Sequence, residues 1–174
     1  MNEEKIEILE ENLEINEELS LYKGKPFTGV CIVYFGAERN HKKTEKQYED
    51  GKQNGLETKF FKNGKKESEI SFLNGKMEGL TNQWDENGNK VFSANYKNGE
   101  LDGIFKYWYG SGKKKSEGRF KNGKKDGLII LWYENGRKES INHYKEGIEH
   151  GLRTEWDEDG KKTFEGNYVD GNEE

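Results

Sequence analysis

Proline is nearly missing from this sequence, with one in 174 residues, and cysteine is as rare, with Cys31 alone. A lone cysteine excludes an internal disulfide. Long apolar runs are missing too: no stretch of about 18 residues could serve as a membrane-spanning helix. The acidic N-terminus carries no signal-peptide pattern, so the expected location is cytoplasmic. Apolar side chains make up only 30% of the chain, against 36% charged, too few to fill one thick core. An excess of positive charge is also absent. The net charge is -5, and residues 1–18, with eight Glu and one Lys, account for -7 of it. The remaining body is nearly neutral, without the basic footprint of a nucleic-acid-binding protein.

What the chain does have is aromatics and glycine: nine Phe, nine Tyr, four Trp and 22 Gly. Both recur with a period of 24 residues, as in Gly55, Gly79, Gly103, Gly127 and Gly151. Trp84, Trp108, Trp132 and Trp156 keep the same interval, and Phe60 takes that place one repeat earlier. So do Gly64, Gly88, Gly112, Gly136 and Gly160, and the aromatics Phe72, Tyr96, Phe120, Tyr144 and Tyr168. Repeats begin near residues 29, 55, 79, 103, 127 and 151. The first is longer by two residues, around Gly36–Lys43, and has Tyr34 in the tryptophan place.

Each repeat reads as a β-hairpin. Alternating residues follow the boundary glycine, as in Ile104 and Trp108, and then a turn such as Asn63-Gly64 or Asn135-Gly136. Asn-Gly suggests a type I′ turn at that point. The return strand carries the second aromatic, and a further glycine turn leads onward. The spacing therefore predicts an all-β fold, an elongated antiparallel β-meander of tandem 24-residue hairpin repeats over residues 22–172. Phe60, Trp84, Trp108, Trp132 and Trp156 are expected to form a structural ladder, stacked with the return-strand aromatics on one face. Residues 1–21 form an acidic leader or cap, with helical spacing at Ile6, Leu9 and Leu13 and a strand ending near Tyr22.

The runs Trp84-Asp85-Glu86-Asn87-Gly88-Asn89-Lys90 and Trp132-Tyr133-Glu134-Asn135-Gly136-Arg137-Lys138, in register with Tyr96 and Tyr144, resemble MORN-type repeats. The resemblance is to the bacterial variant found in YwqK-family antitoxin-like proteins, and it covers nearly the whole chain. It implies a binding or scaffolding module without catalysis, in some members one that neutralises a toxin.

The second face of the outgoing strands is polar in three repeats but apolar in two adjacent ones, Phe105, Tyr107 and Tyr109, then Ile129, Leu131 and Tyr133, and the first repeat shares the trait with Cys31, Val33 and Phe35. The six on the two adjacent repeats are the expected protein-contact residues, unless the leader or a second copy of the chain covers them. Catalytic, cofactor and metal residues are not expected. His41, His143 and His150 do not converge, and Cys31 sits in an apolar strand. Lysines follow each hairpin turn, as at Lys65, Lys66 and Lys113–Lys115, and suit solubility or contact with an anionic membrane. Two functions are expected: a non-enzymatic protein-binding module, which the resemblance would make an antitoxin or immunity protein facing a toxin, or a structural scaffold acting by self-association or membrane contact.

Overall fold

The computed structural model describes residues 6–16 and 19–174; expectations for residues 1–5 and 17–18 of the leader lie outside the described residues. The chain forms two compact units, Met1–Gly88 and Asn89–Glu174.

In the first unit, β1 (Glu7–Leu9) runs into a single 3-10 turn at Glu10–Asn12. A small sheet follows, made of β2 (Glu14–Asn16), β3 (Leu19–Tyr22) and β4 (Lys25–Pro26). The repeats begin with β5 (Gly29–Tyr34), β6 (Lys42–Glu49), β7 (Lys52–Phe60), β8 (Lys66–Leu73) and β9 (Lys76–Trp84). Neighbours from β5 to β9 pair antiparallel, as the absence of crossover helices requires. The helical spacing of Ile6, Leu9 and Leu13 is overruled. Residues 7–9 instead form a strand lying parallel to β5, with Ile8 opposite Cys31. A helix of that length is weakly nucleated, whereas a strand satisfies the backbone edge of β5.

The core here is Ile8, Phe27 and Cys31, with Tyr22, Leu13 and Tyr48 against it. Phe27 meets Tyr22 edge-on at 6.1 Å and Tyr48 at 5.8 Å. Burial, and secondarily the Glu10 carboxylate, push the Cys31 thiol up to about 11. That thiol is a core group held in its neutral form.

The second unit holds β10 (Lys90–Lys97), β11 (Glu100–Trp108), β12 (Lys114–Lys121), β13 (Lys124–Trp132) and β14 (Lys138–Lys145). After these come β15 (Ile148–Glu149), β16 (Gly151–Trp156), β17 (Lys162–Val169) and β18 (Asn172–Glu173). All its pairings are antiparallel, with β14 shared between β15 and β16.

Two turn types alternate, and the assignment differs from the one expected. Type I′ geometry falls at Asn74-Gly75 in the first unit and at Asn98-Gly99, Asn122-Gly123 and Glu146-Gly147 in the second, where both residues have positive φ. At Asn63-Gly64 and Asn135-Gly136 only the glycine does. There Gly64 N–H donates to the Phe61 carbonyl (2.9 Å), a three-residue loop with a glycine bulge. The asparagine side chain accounts for the difference. Lys65 N–H donates to Asn63 Oδ1 (3.0 Å) and Arg137 N–H to Asn135 Oδ1 (2.8 Å), which holds each asparagine in the ordinary turn conformation.

Candidate protein-contact surface

Strand register decides which side chains share a face. Phe105 stands opposite Ala94 on one side and Gly118 on the other, and Gly118 stands opposite Ile129. Phe120, two residues beyond Gly118, is therefore on the face of Phe105. The second unit builds its core on that face from Phe92, Ala94, Phe105 and Ile129, with Tyr96, Phe120 and Tyr144 packed against them. Phe105 and Phe120 meet edge-on at 5.2 Å. The expected stacking of return-strand aromatics on the tryptophans is thus corrected: they pack on the other row. Gly118 makes the packing possible, because a Cβ there would lie 2.3 Å from Ile129 Cδ1 and 2.9 Å from Phe105 Cε1.

The tryptophans occupy the turn ends of the outgoing strands, half-buried, and Trp108, Trp132 and Trp156 each stand just past a bulge such as that between Tyr107 and Trp108. Phe60 holds the same position, opposite Lys66. Lys114 Nζ lies 4.9 Å from the Trp132 ring centre.

The six expected contact residues have three different fates. Phe105 and Ile129 are core, at 8% and 5% exposure. Leu131 packs against that core, and Tyr107 is 44% exposed but stacked on Phe92 at 4.5 Å. Tyr109 and Tyr133 stitch repeat to repeat. The Tyr109 hydroxyl donates to the Trp132 carbonyl (2.7 Å) and the Tyr133 hydroxyl to the Trp156 carbonyl (2.8 Å). Desolvation first, then surrounding carboxylates including Glu139, raise both phenol pKa values, so both remain donors at neutral pH. We expect Tyr109→Phe and Tyr133→Phe each to lower the urea midpoint slightly, because each loses one hydrogen bond to a backbone carbonyl. Unchanged stability would return both to the list of free anchors.

The exposed apolar row lies on the opposite face, which the sequence reading took for the buried one. Ile104, Leu128 and Leu152 are 52%, 46% and 46% exposed in the second unit. Leu56 and Leu80 take the same place in the first unit and are exposed as well. Polar partners flank them: Arg119 stands opposite Ile104, His143 opposite Leu128 and Asn167 opposite Leu152. Ile104, Leu128 and Ile130 line a shallow groove of about 530 Å³. Sequence reasoning had a signal for this row, the repeated Leu or Ile after each boundary glycine, but assigned it to the wrong side of the sheet.

Several turn lysines are engaged locally. Lys65 Nζ donates to the Asn87 carbonyl (2.8 Å), Lys114 pairs with Glu117 (2.8 Å), and Lys66 and Lys162 pair with Glu69 and Glu165. No grouping of three His, Cys, Asp or Glu able to hold a metal ion exists among the described residues.

Tandem antiparallel hairpins, with a thin core on one face of the second unit and a regular apolar row on the other, define a repeat-built module. The chain belongs to the MORN repeat variant family, which it matches over residues 53–74, 77–98, 101–122 and 149–170, together half of its length. The hairpin of β13 and β14 lies between the third and fourth matched segments and has the same architecture. No curated protein matches the sequence.

Proposed function

We propose that this chain is a protein-binding module that acts as an antitoxin or immunity protein by holding a partner toxin against the row of Ile104, Leu128 and Leu152. The observation that supports this reading is the exposure of that row. Three aliphatic side chains at 24-residue spacing stand half-exposed on a face not required for the core of their unit. Scattered surface leucines need no explanation, but an apolar row in register along a sheet is a contact surface. The polar residues opposite each member give it the mixed rim of a protein interface.

Growth rescue tests the proposal. Cells producing the toxic protein encoded beside this chain should survive when the wild-type chain is co-produced. Replacing Ile104, Leu128 and Leu152 by Ser should abolish rescue while costing roughly 1 kcal/mol or less of stability per site. Full rescue by the folded triple variant would remove the row from the interface.

A further inference from the structure

Each unit offers two Asn-Gly turns for comparison: Asn63-Gly64 and Asn74-Gly75 in the first, Asn122-Gly123 and Asn135-Gly136 in the second. All these asparagines are exposed, and each is followed by the residue that shields the next backbone nitrogen least. That pair of residues has a chemistry of its own. The glycine nitrogen attacks the asparagine Cγ and expels Nδ2 as ammonia, and water opens the ring that results.

We infer that Asn74 and Asn122 are sites of this spontaneous modification, and that Asn63 and Asn135 are protected from it by the way their turns hold them. The inference is independent of the contact row.

The step balances without an oxidant or a cofactor. At Asn122 a bond forms between Gly123 N and Asn122 Cγ, and the Cγ–Nδ2 bond breaks. The Gly123 amide proton leaves with the ammonia, and the product is a cyclic imide. Water then adds to one of its two carbonyls. Opening at the side-chain carbon gives aspartate. Opening at the main-chain carbon gives isoaspartate, in which the chain runs on through the former side chain. Asn74 and Gly75 follow the same course.

The first observation is how the side chains are held. Asn63 uses both ends of its amide: Nδ2 donates to the Glu86 carbonyl (2.9 Å) and Oδ1 accepts the Lys65 N–H (3.0 Å). Asn135 does the same, donating to the Glu158 carbonyl (2.8 Å) and accepting the Arg137 N–H (2.8 Å). Turning Cγ onto the following nitrogen must first break both bonds. Among the described residues no hydrogen bond holds the side chain of Asn74 or Asn122. Asn122 reaches Asp102 Oδ2 with its backbone N–H (3.1 Å), which leaves its amide group free to rotate.

The second observation is that the nucleophiles start level. Gly64 N–H donates to the Phe61 carbonyl and Gly136 N–H to the Tyr133 carbonyl, both at 2.9 Å. Gly75 N–H donates to the Gln53 carbonyl (2.8 Å) and Gly123 N–H to the Leu101 carbonyl (2.9 Å). Each glycine must release one bond, so the difference between the turns lies in the asparagine side chain. Room for ring closure is present. Nothing lies within 4 Å of a Cβ placed on Gly75, and beside Gly123 the nearest atoms belong to Glu100 at 3.8 Å.

At Asn122 the product reaches the core. The turn closes Lys121 onto Lys124 and Phe120 onto Lys125. Isoaspartate adds a carbon to the main chain inside a two-residue turn, which that register does not accommodate. Phe120 packs edge-on against Phe105 at 5.2 Å, so a lost register loosens the packing of the second unit.

The test holds the folded full chain in mildly alkaline buffer made with heavy-oxygen water, then digests it at acidic pH for mass spectrometry. Asn74 and Asn122 are expected to convert at least about 10-fold faster than Asn63 and Asn135, a factor that the two side-chain hydrogen bonds supply. Each converted peptide should carry one heavy oxygen and resolve into aspartyl and isoaspartyl forms. In urea the same sites should convert at similar rates, since the following glycine is common to all. Conversion of folded Asn63 or Asn135 as fast as Asn122 would overturn the assignment. So would intact Asn74 and Asn122 after the unfolded chain has fully converted. The same ranking of sites in urea would move the cause from the turns to the local sequence and overturn it too. The chain carrying isoaspartate at position 122, isolated by its added charge, should unfold at lower urea than the parent. Asn122→Asp, which adds the charge without lengthening the main chain, should stay close to the parent. Equal midpoints for the isoaspartyl chain and the parent would overturn the link to the core.

Discussion

Phe105→Ala should lower the stability of the second unit by about 3–5 kcal/mol, the cost of removing a well-buried aromatic ring. Phe105 is 8% exposed and touches the central residues of its sheet. Its ring meets Phe120 at 5.2 Å and Tyr107 at 6.0 Å, and its Cε1 occupies the space that the missing Cβ of Gly118 leaves open. Collapse around the vacancy is restricted, because Gly118 backbone and Ile129 are already fixed in the strand ladder. Trp108→Ala in the same sheet should cost less than Phe105→Ala, since Trp108 is only half-buried at a strand end. Urea titrations of the two variants side by side make the comparison, with similar m-values confirming that both report the same transition. A larger loss for Trp108 would place the core on the tryptophan face after all. Because each repeat is stabilised by its neighbours, the Phe105 loss should appear as destabilisation of the unit, not of one hairpin.

The hairpin repeat was legible because its signals are local. A glycine at fixed spacing marks a turn, and a period of two between turns marks a strand. The choice of buried face was not legible, for a reason visible at Trp108. In the sequence, Ile104 and Trp108 are four apart and read as one apolar face, and large aromatics suggest a core. The strand register assigns burial differently: the bulge after Tyr107 places Trp108 at the sheet margin, while Gly118 creates the vacancy that Phe105 and Ile129 fill. A glycine that makes room across two strands leaves no periodic trace. The same limit applies to Tyr109 and Tyr133, whose aromatic character suggested partner contact. Each hydroxyl is used by a carbonyl 23 residues away, a distance set by the three-dimensional stacking of turns.

Gly29→Ala should detach β1 from the first unit, with a cost on the order of 3 kcal/mol or more from backbone clash and lost burial. Gly29 has φ near +154°, and an added Cβ would lie 2.2 Å from the Ile6 carbonyl oxygen and 2.8 Å from Phe27 Cζ. The carbonyl cannot yield, because it accepts the Val30 N–H (2.8 Å) that opens the parallel pairing of β1 with β5. Losing β1 would uncover Cys31, opposite Ile8, and separate Glu10 from Lys46 (2.8 Å) and Glu11 from Arg39 (3.0 Å). Alkylation of Cys31 reads this out. Its thiol pKa, raised from 9.0 to about 11 chiefly by burial, leaves very little thiolate at pH 8. Returning it toward its ordinary value raises the thiolate fraction by up to about 100-fold, and exposure adds to that. The sign for stability follows. A raised thiol pKa favours the fold fully below pH 9, and that contribution is lost as pH rises toward 11, so the variant should show a shallower alkaline decline between those limits. Wild-type alkylation rates in Gly29→Ala would mean that β1 stays docked despite the clash. The expected acceleration would instead show what the leader does for the fold: it covers the edge of β5, whose Val30, Cys31 and Ile32 would otherwise stand as a bare apolar strand.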